Sequence, residues 1–453
     1  MRLQETLQRS LRSEIDRLQK QNGYTLSKLG ELSGINHGHL SDIVRSKRSI
    51  TIGQLDALAK VFGQPSGWLY DLYTSECFTK EKVSRPRLIP YLIRCAEIGL
   101  HDSIQQVVSK LLDDRKNVGI LFSVAEQLFA NGKLIQSVPF YQHLVDNEKD
   151  SHSDRFVISQ YRLFRATVQG TNAEENWEAV IRFKPYRNRL PENYQLDGLL
   201  QLSTVCFELQ RWGDMEIYAD ELRSLSFKVY DNELRKRKNN KVCEPLKTDR
   251  HLVVYYGQGY LLKGVALQMQ GLYSEAREFV QGYADLAWFE LVDEVGLKEI
   301  EKFRIWARAN LYTYSLLMGE TAILPDYLEF LSKYPVEIQA GLLTIMEAAS
   351  KYDIDIDDKL DRYSEEIKRF SDYKGSVNIG RHYNFRYYKV EYKLKKGRIN
   401  KALDEILCCL DLADQLNNQQ AFKRNTALFW AYRQHASEQH ERNYQEIIGR
   451  FTV

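Results

Sequence analysis

Between Thr25 and Leu69 the apolar residues recur at the three- and four-residue spacing of short helices. Leu26, Leu29 and Leu32 predict one face of a helix that stops at Gly34. Gly34-Ile35 then reads as a tight corner, because glycine accepts backbone conformations that other residues resist. Asn36 is placed to cap a second short helix with Leu40 and Ile43 inward. Ser46-Lys47-Arg48-Ser49 breaks the pattern. Ile52, Leu55, Leu58, Ala59 and Phe62 predict a third helix, ended by Gly63. Upstream, Leu7, Leu11, Ile15 and Leu18 give a helix from Leu3 to Gln21. Downstream, Pro65 and Gly67 begin one carrying Trp68, Leu69 and Leu72.

The polar stretch from Thr74 to Pro90 contains two prolines and reads as a linker. Beyond it one pattern recurs: a helix, a glycine or polar turn, an apolar residue, then a small residue three places on. Asn131-Gly132-Lys133-Leu134 leads to Ser137 and Tyr141, Gln270-Gly271-Leu272-Tyr273 to Ala276 and Val280, and Lys396-Gly397-Arg398-Ile399 to Ala402 and Ile406. Arg211-Trp212 leading to Met215 is a looser copy. Helix pairs are expected to begin near Arg87, Val118, Asp154, Asn193, His251, Leu297, Glu337, Asn378 and Ala421. Few prolines and no alternating strands predict an all-α chain. Two segments interrupt the pattern. Tyr230 to Asp249, with Arg235-Lys236-Arg237-Lys238, reads as a solvated loop rather than an auxiliary nucleic-acid patch. Tyr352 to Lys359 lacks the glycine and terminal glutamate of a calcium loop and reads as a turn and N-cap.

Helix, glycine turn, short helix, basic loop, helix is the order of a helix-turn-helix. With Leu29, Gly34, Ile35, Leu40, Ile43, Arg48, Leu55, Ala59, Gly63 and Trp68-Leu69 in place, the first seventy or so residues resemble the lambda-repressor-like, or XRE, class. They depart from it at Gly38, inside the recognition helix, and at Arg45, where the class often has an acidic residue. A recognition helix enters the major groove N-terminus first. His37, Gly38, Ser41 and Asp42 are therefore expected to face base edges, with Asn36 and His39 beside them. Arg45, Lys47 and Arg48 lie where one phosphate strand would pass, and Tyr24, Thr25 and Lys28 where the other would.

The downstream pattern resembles the tetratricopeptide repeat, in which a small residue on one helix lets the next pack closely. Such helix pairs stack into a right-handed superhelix with an inner groove lined by the first helices. The expected organisation is a five-helix domain over 1–73, a linker over 74–90, the repeat superhelix over 91–436, and a capping or dimerising helix over 437–453. Together these features resemble the RRNPP family. Its members are cytoplasmic receptors of Gram-positive bacteria and their mobile elements that sense short secreted peptides, phage arbitrium receptors among them. The resemblance implies a homodimer on operator DNA and a signalling oligopeptide in the groove. By repeat register, Gln160, Thr204, Gln258, Asn310, Asn384 and Tyr387 are candidate groove residues, with Arg308 or Arg165 for a carboxylate. The alternative is a scaffold whose groove sequesters a protein partner.

Composition narrows this further. Lysine and arginine number 63 against 61 aspartates and glutamates, so no whole-protein basic field draws nucleic acid. The first 73 residues carry 10 basic against 7 acidic side chains, a local excess where a DNA-binding domain needs it. Cys77, Cys95, Cys206, Cys243, Cys408 and Cys409 are scattered, which fits a reducing cytosol and no metal site. The charged N-terminal helix is not a signal peptide, and no apolar run is long enough for a membrane span. Without a phosphate loop, HExxH, GxSxG or a clustered ligand set, neither catalysis nor a cofactor is expected.

Overall fold

A computed structural model describes residues 10–78, 83–148, 150, 152–170, 172–239 and 246–450. The expected helical turn at Leu3–Leu7, Cys243, part of the 230–249 segment and Phe451 lie outside these residues. The described chain is all-helical, and its one extended pairing is an isolated bridge between Phe78 and Val83. Two compact units divide it, Met1–Pro191 and Glu192–Val453.

The first unit opens with α1 (Leu11–Gln21), α2 (Leu26–Ser33), α3 (His37–Val44), α4 (Ile52–Val61) and α5 (Tyr70–Cys77). Ser10 and Thr51 start α1 and α4 with reciprocal capping boxes, and Thr25 caps α2. Leu32 is a correction to the expected pattern: it is 48% exposed, while Leu29 is fully buried. Steps of three residues fall about 60° short of a full turn each. The stripe therefore drifts off the core, and α2 buries Leu29 and Gly30 instead.

Within the expected linker, residues 74–77 and 85–90 are helical. α5 ends at Cys77, and α6 (Arg85–Glu97) begins with Pro86 in its first turn, where a missing N–H costs nothing. Then follow α7 (His101–Leu112), α8 (Val118–Ala130), α9 (Leu134–Asn147), α10 (Asp154–Thr167) and α11 (Ala173–Phe183). One continuous core runs from Leu11 and Leu40 through Tyr70, Tyr73, Tyr91 and Leu121 to Leu163. Polar tie points cross the same boundary. The Tyr70 hydroxyl donates to Asp56 Oδ1 at 2.7 Å, Arg94 Nε donates to Asp56 Oδ2 at 2.9 Å, and the Tyr91 hydroxyl donates to the Tyr70 carbonyl at 3.1 Å. Packing thus places no break between the first five helices and those that follow.

The second unit is a run of packed helices. It holds α12 (Glu192–Glu208), α13 (Trp212–Lys238), α14 (Leu252–Met269), α15 (Tyr273–Ala284), α16 (Glu294–Leu317), α17 (Leu324–Lys333) and α18 (Ile338–Tyr352). The short α19 (Asp357–Arg362) and α20 (Ser364–Lys368) precede α21 (Ser376–Lys395), α22 (Ile399–Gln415), α23 (Gln419–Tyr432) and α24 (Glu438–Gly449). From α12 to α18 each helix packs on its neighbour in sequence, as do α21 on α22 and α22 on α23, and α12, α14, α16, α18 and α21 also pack on one another in turn. This is a solenoid-like arrangement. Across both units the first helix of each pair starts at most three residues from the position expected from sequence. The small residues lie where helices cross: Ala276 and Ala402 are fully buried, and a Cβ on Gly264 would stand 3.4 Å from the Ala276 carbonyl oxygen.

The basic run is a second correction. Arg235–Lys238 is the last turn of α13, because 230–238 contains no helix breaker and Tyr230 anchors it against Trp288 and Phe289. Its charges are balanced locally, with Arg235 on Asp231 (2.7 Å), Lys236 on Glu233 (2.6 Å) and Lys238 on Glu290 (3.2 Å). At 352–359 the chain turns through Asp353 at φ 54°, and Asp355 and Asp357 pair with Lys396 and Arg398. Farther on, the buried Glu405 of α22 receives three cations from α21: Arg386 at 2.7 Å, Lys389 at 2.9 Å and Lys393 at 2.7 Å. Burial alone would raise its pKa, but the three cations outweigh it and hold the carboxyl at about 2.

Candidate nucleic-acid interface and ligand groove

The geometry of the recognition helix starts at the corner before it. Gly34 sits at φ 70° and closes α2, and Asn36 Oδ1 accepts from the amides of Gly38 (2.8 Å) and His39 (3.4 Å). Gly38 is thus in the first turn of α3 rather than its middle, where the usual penalty of roughly 1 kcal/mol relative to alanine applies. Leu40 and Ile43 are fully buried and fix the roll of the helix. That roll leaves Asn36, His37 and Gly38 exposed and His39, Ser41 and Asp42 half-buried. The helix N-terminus and its outward face are open, as major-groove entry requires.

The C-terminal side is basic. Arg45, Lys47 and Arg48 are exposed, and among the described residues none of their side chains makes an ion pair. Their backbone is ordered by the helix end: the Asp42 carbonyl accepts from the amides of Lys47 (2.8 Å) and Arg48 (3.1 Å). On the opposite flank Thr25 is exposed and caps α2 through its hydroxyl, and Lys28 pairs loosely with Glu31 at 3.3 Å. Tyr24 is half-buried against Phe62.

One supporting residue escaped the sequence reading. Arg12 of α1 donates from Nε to the Ile43 carbonyl (2.9 Å), from Nη2 to the Arg48 carbonyl (3.3 Å) and from Nη1 to Glu76 Oε1 (2.6 Å). It therefore clamps both the end of the recognition helix and the basic loop to α5, and its charge faces the negative end of the helix dipole. Its acidic partner lies 64 residues away, so no local pattern announces it.

The second unit holds a cavity of about 400 Å³. Its walls are the same faces of successive helices: Val265, Gln268 and Met269 of α14, Asn310 and Thr313 of α16, Ala340, Leu343 and Thr344 of α18, and Val377, Gly380, Arg381 and Asn384 of α21. The end of α12 and the start of α13 close one side with Phe207, Glu208 and Trp212, and Leu416 and Asn418 border it as well.

Of the residues expected in the groove, Asn310 and Asn384 are brought together here. Thr204, Gln258, Arg308 and Tyr387 do not line it. The Thr204 hydroxyl turns back to the Leu200 carbonyl (2.9 Å), and Gln258 is half-buried two turns before the lining stretch of α14. Arg308 is two residues from Asn310, far around the helix, and lies over the Phe330 and Tyr312 rings. Tyr387 carries the Arg424 guanidinium 4.2 Å from its ring centre. Gln160 and Arg165 belong to α10 in the first unit. Gln160 is buried, and Arg165 donates to the Tyr161 hydroxyl at 2.8 Å. Gln268 and Arg381, not among the residues expected from sequence, also line the cavity. Arg381 stands three residues before Asn384, so the helical face of the expected asparagine already marked it.

Residues 16–69 match the helix-turn-helix family model. No curated protein matches the chain. The first unit thus carries a helix-turn-helix of the XRE type, the kind of domain found in DNA-binding transcription regulators. No described helix is long and apolar enough to cross a membrane.

Proposed function

We propose that the protein is a peptide-controlled transcription regulator of the RRNPP kind. A homodimer binds operator DNA through α3 and its basic loop, and a short signalling oligopeptide held in the groove of the second unit sets its affinity for DNA. The observation that carries the DNA half is the exposed N-terminal face of α3 beside three cations, Arg45, Lys47 and Arg48, that no carboxylate among the described residues engages. The peptide half is supported by the polar lining of the cavity. Asn384 makes no side-chain hydrogen bond among the described residues. Asn310 donates its amide to the Tyr283 hydroxyl at 2.8 Å and keeps its oxygen open. Amides suit peptide backbone because each offers a donor and an acceptor. For the peptide to act as a signal it must bind one arrangement of the helices better than another.

The test is a genome-wide DNA pull-down with purified protein, with and without the peptide fraction of spent medium from the source organism. Discrete paired sites whose occupancy changes with that fraction support the proposal. Sites that ignore it remove the peptide half. No discrete sites in either condition leave the protein-sequestering scaffold as the better reading.

A further inference from the structure

A second cavity, of about 600 Å³, lies on the other face of α21 from the groove. Ile379, His382 and Arg386 line it, roughly half a turn around the helix from Gly380, Arg381 and Asn384. Phe370 ahead of α21, Leu407, Cys408 and Leu412 of α22, and Ile447 of α24 make the other walls. Among the remaining charges of the lining, Arg450 pairs with Asp411 at 2.7 Å, and Lys374 and Glu446 offset each other in sign. The volume is that of a small-molecule site, and apolar walls around a few polar groups are the usual lining of one.

Two donors on this wall are unmet. The His382 side chain is only 6% exposed, and Phe370 meets its ring edge-on at 5.9 Å. His382 Nε2 accepts from Arg386 Nε at 3.0 Å. The ring proton therefore sits on Nδ1, which has no hydrogen-bond partner among the described residues. Burial first, and then the Arg386 charge, pull the His382 pKa down to about 4, so at neutral pH the ring is neutral and keeps this one donor. Arg386 commits Nε to His382 and Nη1 to Glu405, and its Nη2 has no partner among the described residues. The single carboxylate of Glu405 serves Lys389 and Lys393 as well, so positive charge is in excess behind this wall. Buried donors without acceptors are costly and rare, and the acceptor that His382 lacks can come only from the cavity its ring lines. We infer that this cavity binds a small monocarboxylic acid as its anion, the carboxylate accepting from His382 Nδ1 beside Arg386 and the hydrocarbon body lying against Phe370, Leu407, Leu412 and Ile447. The site is separate from the groove and independent of the peptide reading.

The experiment uses the full chain and two matched pools: aliphatic and aromatic monocarboxylates of roughly four to ten carbons, sized to the cavity, and their primary amides. Binding is read by equilibrium dialysis with mass spectrometry. Its place is read by the rate at which N-ethylmaleimide labels Cys408, the one exposed cysteine among the described residues. Members of the acid pool are expected to bind and to slow that labelling. Their amides should bind roughly ten-fold more weakly, as for the loss of a charged hydrogen-bonding partner. A lead for the aliphatic or for the aromatic acids supports the site either way and identifies the body it takes. His382→Phe keeps a ring without the donor and should weaken acid binding roughly ten-fold. Ile379→Trp should fill the cavity and abolish binding. Ile379 is half-buried, so this second variant tests the cavity even where the first disturbs folding. No binding from either pool, equal binding of acids and amides, or acids that bind without protecting Cys408 would each overturn the inference. The DNA and peptide readings would stand in all three cases.

Discussion

Replacing Arg12 by methionine keeps most of the aliphatic stem and removes three bonds at once: those to the carbonyls of Ile43 and Arg48, and the pair with Glu76. Hydrogen bonds to charged groups contribute about 1.5–3 kcal/mol each, and breaking a buried ion pair costs about 3–5 kcal/mol. The Arg12 side chain is 25% exposed and that of Glu76 only 7%, so water screens one partner and barely reaches the other. A loss of about 3 kcal/mol, at the low end of the buried-pair range, is therefore expected. Most of it comes from the carboxylate stranded in α5. Because the clamp is local, the loss should appear as faster amide hydrogen exchange over residues 43–49, with little change in the second unit. DNA affinity should fall about ten-fold, as the basic loop is no longer held in place. The double variant Arg12→Met with Glu76→Gln should recover at least about 1.5 kcal/mol relative to the sum of the two single changes. Unchanged exchange at 43–49, or strictly additive losses, would refute the clamp.

Other outcomes follow from the same geometry. Changing Lys47 and Arg48 to alanine should weaken binding to all DNA sequences alike and flatten the salt dependence by about two counterions, as read in titrations at several salt concentrations. Gly30→Ala places a methyl 2.8 Å from the Ile35 carbonyl oxygen, a backbone atom that cannot step aside, and should cost about 1–3 kcal/mol in denaturant unfolding. Glu405→Gln leaves Arg386, Lys389 and Lys393 without their shared counter-charge and should destabilise the second unit by about 3 kcal/mol at neutral pH. The pH dependence has a definite sign. The Glu405 pKa is lowered from 4.5 to about 2, so its stabilising effect is complete above 4.5 and lost as the pH falls toward 2. Wild type and variant should therefore converge in acid, and a difference that persists below pH 2 would contradict the assignment.

Much of the fold was legible because helices announce themselves locally. Gly34, Asn36, Leu40 and Ile43 located the turn and the recognition helix, and the glycine turns before Ala276 and Ala402 located the helix pairs. What escaped was of two kinds. Long-range partners carry no periodic signal, so neither Arg12 with Glu76 nor Asp56 with Tyr70 and Arg94 was visible. Composition also misled. Residues 74–77, 85–90 and 235–238 lie in stretches polar or charged enough to resemble loops, yet their backbone is helical because a few buried anchors, such as Cys77, Leu88 and Tyr230, are enough to dock them. Of the residues expected in a groove, Asn310 and Asn384 line the cavity of about 400 Å³ in the second unit, and Arg308 and Tyr387 do not, because small differences in phase accumulate along long helices.

The shared core of the first unit changes how this protein can be cut and recombined. Tyr70, Tyr73 and Leu69 are buried, and Gly67 lies so close to Leu100 that a Cβ there would stand 2.9 Å from its side chain. A fragment ending near residue 73 would expose that aromatic surface and leave Asp56 without Arg94. The DNA reader is thus not a detachable cartridge. A chimaera that exchanges the second unit should be joined near Pro191, where the first compact unit ends, rather than in the polar stretch that looks like a natural seam. Within that unit the reader shares its core with α6, α7 and α8, so a shift of those helices reaches it through packed side chains.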